Sequence, residues 1–377
     1  MPDFFIIAGE ASGDLHASSL VRAISDICPD SKFSGIGGKE MRASGVNTIF
    51  DINEVNFIGF TSVVKNFSAI RRIMGLTVEA IRKQDPTVVI LVDFPGFNLR
   101  IAQTIRKFYR GKIVYYIAPQ VWAWHKSRIK SMKKMLDLLL VVFPFEVPFF
   151  KKEGMESAYV GHPLITRINS FLSGHKRLSS EKIRISLLPG SRKGEVESIL
   201  PEMIKAAKLL DSKYDCEIKI LCTPHLDEDY YKSFEGVEKF QLIHKPQDPD
   251  ANYLSILNSE LVITKSGTST LECALIGTPF LVVYKTSPVN YFIGKNLVEV
   301  KYISIVNLLL DKPAVKEYLQ QDMTTENILS EASRIIDDKD YSQKMQKEFK
   351  LLREILGSMN ASQTAAMKIC CLAGCNS

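Results

Sequence analysis

Short apolar runs that end in a turn and give way to a helical pattern recur along this chain. Val88–Asp93, Leu138–Phe143 and Phe280–Tyr284 show almost no alternation of apolar and polar residues. A strand with one wet face alternates, whereas a strand covered on both faces reads as a continuous apolar run. Strand-like runs at Phe4–Ala8, Val88–Asp93, Ile113–Ile117 and Leu138–Phe143 are interleaved with helical patterns at Leu15–Ile27, Asn66–Arg82, Asn98–Tyr109 and Phe149–Glu153. The order strand, turn, helix, strand predicts an α/β class with parallel, doubly wound sheets.

That alternation pauses once. A mixed polar stretch, Asn169 to Lys182, reads as a linker after a first domain over residues 1–168. It resumes with strands at Ile183–Leu188, Glu217–Leu221, Phe240–Ile243, Leu261–Thr264 and Phe280–Tyr284. Helices at Glu195–Leu210, Ala251–Asn258 and Thr268–Ile276 fall among them, giving a second domain over 182–340. Residues 341–377 read as a helical tail that packs back on the first domain or on a partner subunit. A chain of 377 residues has room for two cores. Two doubly wound domains predict a ligand cleft between them, at the carboxyl ends of their strands.

The turns carry the chemistry. In Leu261 to Gly277 a strand runs into Ser266-Gly267-Thr268 and opens a helix. Free N–H groups and the positive helix end suit a phosphate there, with hydroxyls from Thr268 and Thr270 and with Glu272 able to accept from a ribose diol. The same residue types also cap ordinary helices. In Leu187 to Arg192, Arg192 is placed to pair bidentately with a diphosphate, and Glu195 fits a first helical turn. The first strand ends in Ala8-Gly-Glu-Ala-Ser-Gly-Asp14, which presents Glu10, Ser12 and Asp14; Ser12 and Asp14 serve equally as caps. Asp93 ends a buried strand ahead of Pro95, Gly96 and Asn98, a position where burial raises a carboxyl toward a working general base. Gly35-Ile-Gly-Gly38 matches no dinucleotide fingerprint, and no lysine-bearing phosphate loop is present, which argues against redox and ATP chemistry.

Composition narrows the partners. A net charge of +6 is too small for a dedicated nucleic-acid binder, yet suits anionic substrates or an anionic membrane. The seven cysteines show no metal-type double pair and read as reduced thiols. No signal-peptide pattern opens the sequence, and its longest apolar runs are far short of a membrane span.

Nine stretches in order carry a specific resemblance: AGEASGD (8–14), GIGG (35–38), DFPGFN (93–98), APQVWAWH (118–125), FPFE (143–146), VGHP (160–163), LLPGSR (187–192), SGTSTLE (266–272) and NLLL (307–310). Together they resemble the lipid-A-disaccharide synthase family over nearly the whole chain. The resemblance implies a two-domain GT-B fold with Rossmann-like halves. It implies inverting transfer of 2,3-diacylglucosamine from its UDP donor to the 6-hydroxyl of 2,3-diacylglucosamine 1-phosphate, giving the β-1,6 disaccharide 1-phosphate and UDP. It also implies work at the cytoplasmic face of the inner membrane of a Gram-negative bacterium, without a metal or other cofactor. A homodimer is left open. On this reading Asp93 is the base, with Glu10 as runner-up and His16 as a weaker candidate. Arg192, Ser266, Gly267, Thr268, Thr270, Glu272 and Asn307 hold the donor, and Ser12, Asn98 and Trp124 face the acceptor.

Acylated substrates direct attention to Phe57–Met74, where Phe60, Val64, Phe67, Ile70 and Met74 recur at helical spacing beside Lys65, Arg71 and Arg72. That pattern fits a membrane-facing patch, or a helix packed on the sheet. Lys126, Arg128, Lys130, Lys133 and Lys134 follow the two tryptophans and could meet the acceptor phosphate or headgroups. Rival readings are another GT-B enzyme of the lipid II type, a UDP-sugar 2-epimerase, or a non-catalytic sugar-nucleotide binder.

Overall fold

The computed structural model describes residues 2–52, 67–123, 126–223, 226–245, 247, 248, 250–287 and 301–375. The chain divides into two compact units. One runs to Thr166 and regains the chain from Ser358 onward; the other spans Arg167–Gly357.

In the first unit the elements are β1 (Asp3–Ala8), α1 (Ala11–Ile27), β2 (Lys32–Gly37), α2 (Lys39–Ala43), β3 (Asn47–Asp51) and α3 (Phe67–Gln84). They continue with β4 (Val88–Val92), α4 (Pro95–Ile105), β5 (Lys112–Tyr116), α5 (Arg128–Met135), β6 (Leu138–Val141), α6 (Glu146–Lys152) and β7 (Ala158–Tyr159). Among the described residues the sheet has seven strands, in the order β3-β2-β1-β4-β5-β6-β7, all parallel. Parallel pairing needs apolar cover on both faces. Val88 to Val92 are accordingly all buried. The order reverses between β1 and β4, and there Phe4 pairs with Val88 and Ala8 with Val92. That register makes Gly9-Glu10 and Asp93 leave the sheet side by side.

Helix α3 supplies part of the cover, and this corrects the membrane reading for two residues. Ile70 is buried, and Met74 packs against the sheet's core cluster along with Ile73 and Val78. Positions 70, 74, 77, 78 and 81 form one helical stripe used by the sheet, so burying Ile70 contributes about 1.5–3 kcal/mol to the fold. Phe60 and Val64 lie outside the described residues, as does the side chain of Phe67. No helix among the described residues is long and apolar enough to cross a membrane.

Helix α7 (Pro163–Gly174) carries the chain from Thr166, where the first unit breaks off, to Arg167, where the second begins. The stretch Asn169 to Lys182, expected as a linker, is helical to Gly174 and then stitched down. Arg177 pairs with Glu260, and the Leu178 N–H donates to Asn258 Oδ1 at 2.8 Å. The second unit continues through β8 (Ile183–Leu188), α8 (Lys193–Tyr214), β9 (Cys216–Leu221), α9 (Glu228–Lys232), β10 (Gln241–Ile243) and α10 (Ala251–Asn258). Next come β11 (Leu261–Lys265), α11 (Thr268–Ile276), β12 (Phe280–Tyr284), α12 (Ile305–Leu310), β13 (Glu317–Leu319), α13 (Thr325–Asp337) and α14 (Lys339–Leu356).

Its sheet order among the described residues is β10-β9-β8-β11-β12-β13, again parallel. The reversal falls between β8 and β11, where Leu188 pairs with Thr264. Residues after 341 divide between the units. Phe349 of α14 stacks on Phe280 of β12 at 5.4 Å, whereas α15 (Ala361–Ala373) lies against α1 and β5 of the first unit.

Candidate active site

In open α/β sheets, ligands gather at the carboxyl ends of strands where the strand order reverses. Both units place predicted residues at that point, and each is described by itself.

In the first unit Asp93 and Phe94 sit consecutively in the left-handed region, at φ 46° and 50°. Such residues cost roughly 1–3 kcal/mol each and persist only where the surroundings impose them. Here the Asp93 N–H donates to Tyr116 O at 3.0 Å, while Asp93 O accepts from Asn98 Nδ2 at 2.7 Å and from Tyr115 OH at 2.6 Å. The Phe94 ring occupies the space a Cβ on residue 9 would need, so Gly9 has no substitute while that ring stays. Burial, then the charge of Glu10, pushes the Asp93 carboxyl up to about 6. Glu10 is the N-cap of α1 and leaves that capping position unused; it and Ser12 are exposed.

Other expectations in this unit change. Asn98, expected to face the acceptor, is fully buried and spends its amide on Ile7 O, Val92 O and Asp93 O. It positions Asp93. Asp14 is buried as well, and its carboxylate accepts from the N–H groups of Gly38, Glu40 and Met41 at 2.6, 2.9 and 3.2 Å. It caps α2 from another helix. The Gly35-Ile-Gly-Gly38 turn is structural too: a Cβ on residue 38 would lie 2.7 Å from Asp14 Oδ2, and one on residue 35 would collide with Ile6 O.

His16 is half-buried near His162, whose imidazole is driven down to about 3 by burial and then by His16. Trp124 lies outside the described residues. Its neighbour Trp122 donates from Nε1 to Glu146 at 3.0 Å, and Glu146 also accepts from the Val142 and Phe143 N–H groups. Burial lifts that carboxyl to about 7. Glu146 ties the turn after β5 to the turn after β6, and sequence reasoning did not single it out. Lys130, Lys133 and Lys134 form an exposed face of α5, with Ile129, Met132 and Met135 turned to the core.

In the second unit Arg192, Ser266, Gly267 and Thr268 come together at the reversal between β8 and β11. Arg192 is the N-cap of α8, and its side chain is 78% exposed, with Glu195 3.6 Å away. The Glu195 carboxylate accepts from the Ser191 and Arg192 N–H groups and pairs with Lys265 Nζ at 2.9 Å. Burial would raise its pKa, but Lys265 and the Ser191 N–H outweigh that and hold it below the usual range. Lys265, the last residue of its strand, was missed. A lysine ending an apolar strand just before a small-residue turn was the available signal.

Gly267 is extended, and a Cβ there would meet only Lys265 Nζ at 3.5 Å, so the fold itself does not require glycine. No side chain caps α11, and Thr268 is exposed at its start. Ser266 Oγ donates to Ile303 O at 2.8 Å. Thr270 is fully buried and returns its hydroxyl to Gly267 O at 2.8 Å, shaping the turn from beneath. Glu272 is half-buried; Tyr253 OH donates to its Oε1 at 2.9 Å, and burial raises its carboxyl. Asn307 is buried with its amide committed: Nδ2 donates to Val315 O and Glu317 Oε1, and Oδ1 accepts from the Val315 N–H. Glu317 in turn accepts from the Ile303 and Ser304 N–H groups. Asn307 therefore supports the segment that Ser266 touches.

Comparison with known proteins fits this geometry. The family model described as Lipid-A-disaccharide synthetase matches residues 4–369. A lipid-A-disaccharide synthase of Geobacter metallireducens is 36% identical over 370 residues, covering 96% of this chain and 94% of its own. Among solved structures, the UDP-GlcNAc 2-epimerase of Neisseria meningitidis bound to UDP-GlcNAc superposes with a TM-score of 0.62 at 13% identity, covering 97% and 98% of the two chains. The calicheamicin glycosyltransferase CalG4 gives 0.60 at 13% identity, covering 99% and 98%. At such identity these structures speak for the fold alone, which is the two-domain, Rossmann-like GT-B arrangement. The full-length family match and the close relative settle the rest: the chain belongs to the lipid-A-disaccharide synthase family, glycosyltransferases of lipid A biosynthesis.

Proposed function

We propose that the protein joins 2,3-diacylglucosamine from UDP-2,3-diacylglucosamine to the 6-hydroxyl of 2,3-diacylglucosamine 1-phosphate, with inversion. The observation that carries the mechanism is Asp93, a carboxyl lifted to about 6 and held rigidly at the strand-order reversal beside Glu10. In the reaction Asp93 takes the proton of the acceptor hydroxyl. The oxygen attacks C1 of the donor sugar, the bond from C1 to the diphosphate breaks, and UDP leaves with the electron pair. Charge develops on the diphosphate, and the uncapped α11 N-terminus with Arg192 answers it. A glycine at 267 that the fold does not require fits close approach of a phosphate to the backbone. These groups do the work for which a divalent ion is otherwise used, so no metal is needed. Incubating the protein with both acylated substrates in EDTA should yield UDP and the β-1,6 disaccharide 1-phosphate. Sugar epimerisation without an acceptor, or dependence on an added metal, would overturn the reading.

Glu272 receives the ribose diol, its Oε1 already oriented by Tyr253. Glu272→Ala should weaken UDP binding about tenfold or more by calorimetry, the scale of losing hydrogen bonds to a charged acceptor. Unchanged affinity would remove Glu272 from the donor site.

Acylated substrates also imply contact with a lipid surface, and we assign it to the segment around Phe60 and to the basic face of α5, on the cytoplasmic leaflet of the inner membrane. Phe60→Ser should release protein from anionic vesicles and leave the melting temperature unchanged. Ile70→Ser should do the reverse, lowering the melting temperature through loss of core packing. Vesicle sedimentation and melting curves on the two variants test the assignment; retention of Phe60→Ser on vesicles would end it.

A further inference from the structure

We propose that Cys28, Cys370 and Cys375 form a binding site for one soft, thiophilic metal cation of the zinc class, clamping the end of α15 to the end of α1. The three Sγ atoms all lie within 4.8 Å of one another. Thiolates bound to zinc at about 2.3 Å stand roughly 3.8 Å apart, so the cluster needs to tighten by no more than about 1 Å.

Local structure explains how residues so far apart in sequence meet. Helix α15 ends in a left-handed Gly374, at φ 75°. The Gly374 N–H donates to Cys371 O at 3.2 Å, and the Cys375 N–H donates to Cys370 O at 3.0 Å. This pair of bonds folds the chain back so that the residue after the glycine comes over the one five positions earlier, where an apolar contact commonly sits. Here both positions are thiols. The third comes from Cys28, which closes α1 by donating its N–H to Ile24 O at 2.7 Å. Helix α1 packs along α15, which brings the two helix ends together.

All three cysteines are free, and three sulfurs suit a cation better than a disulfide, which would use two and strand the third. Cys370 is 2% exposed, while Cys28 and Cys375 are half-buried, so one side stays open for entry and for a water as fourth ligand. Sulfur donors select zinc-class ions over magnesium or calcium. On binding, the metal–sulfur bonds replace S–H bonds, and the protons go to solvent. Glu10 precedes the opposite end of this 17-residue helix, about 25 Å away, so the cluster stands outside the catalytic machinery.

The test uses the full chain, purified under reducing conditions and stripped with a chelator. Titration with Co2+ should give thiolate charge-transfer absorption that saturates at one ion per chain. Zn2+ should displace the cobalt and raise the melting temperature. Cys375→Ser and Cys28→Ser should each weaken Zn2+ binding by more than about 100-fold, beyond the cost of losing an outer-shell partner. Cys371→Ser, which removes the neighbouring exposed thiol, should leave binding unchanged. Both informative positions are half-buried at helix ends, so each variant tests the site should the other misfold. Absence of charge-transfer absorption, full-affinity binding in Cys375→Ser or Cys28→Ser, or a disulfide among the three in protein isolated from a reducing cytosol would each overturn the proposal.

Discussion

Asp93→Asn is expected to lower kcat by about 100-fold or more, the usual scale for loss of a general base, while UDP affinity stays unchanged. The substitution is nearly isosteric, and Asp93 is held through its backbone by Tyr115, Tyr116 and Asn98, so the turn should keep its shape. The wild-type pH profile supplies a second readout. A base with a pKa of about 6 is protonated and idle below that pH, so kcat/KM should fall tenfold for each pH step below about 6 and level off above it. Stability runs the other way. The folded pKa lies above the ordinary value of 3.8, so folding favours the protonated carboxyl and stability declines as pH rises from about 4 to 6. Removing the buried charge should therefore make Asp93→Asn more stable than wild type at pH 8, by about 2–3 kcal/mol, with the gain absent at pH 3. A variant that is inactive yet more stable would separate catalysis from folding. Near-normal turnover would move the base to Glu10.

The second large effect is on folding. Asp14→Ala should destabilise the first unit by about 3–5 kcal/mol, because three backbone N–H groups lose a charged acceptor in a buried place. At roughly 2–4 °C per kcal/mol for a unit of this size, its melting transition should drop by about 10 °C. Asp14→Asn retains one acceptor oxygen and should lose less. The UDP binding proposed for the second unit should survive at temperatures where the variant is folded. A melting curve matching wild type would mean that water replaces the carboxylate and that Asp14 is no bolt.

Much of the architecture was legible because its cause is local. A strand buried on both faces is a continuous apolar run, so Val88–Asp93 and Leu261–Thr264 read as strands in the sequence, and the structure forms them as Val88–Val92 and Leu261–Lys265. The direction in which a polar side chain turns was not legible. Thr270 and Thr268 look alike in sequence, yet one hydroxyl bends back to Gly267 O and the other residue is exposed. Asn98 and Asn307 read as ligand contacts, but their partners are carbonyls and a carboxylate set beside them by folding. Glu146 and Lys265 went unnoticed because burial, which gives them their character, is a tertiary property. The stripe of α3 showed the limit of periodicity. Spacing states that one face is apolar, and only the sheet beneath decides that Ile70 and Met74 belong to it.

The division of the first unit between the two ends of the sequence bears on how the protein is made. Helix α1 leaves the ribosome well before α15, which packs on it and emerges only after all of 167–357 has been translated. At about 5–20 residues per second, that delay is roughly 10–40 s. During it the first sheet can assemble, yet the flank of α1 that α15 packs on stays uncovered. The second unit, contiguous in sequence, can finish before the first one closes. The nascent chain is therefore most open to chaperones and to aggregation at α1, and a lesion that removes 358–377 would strike the unit whose sheet is built from residues before 167.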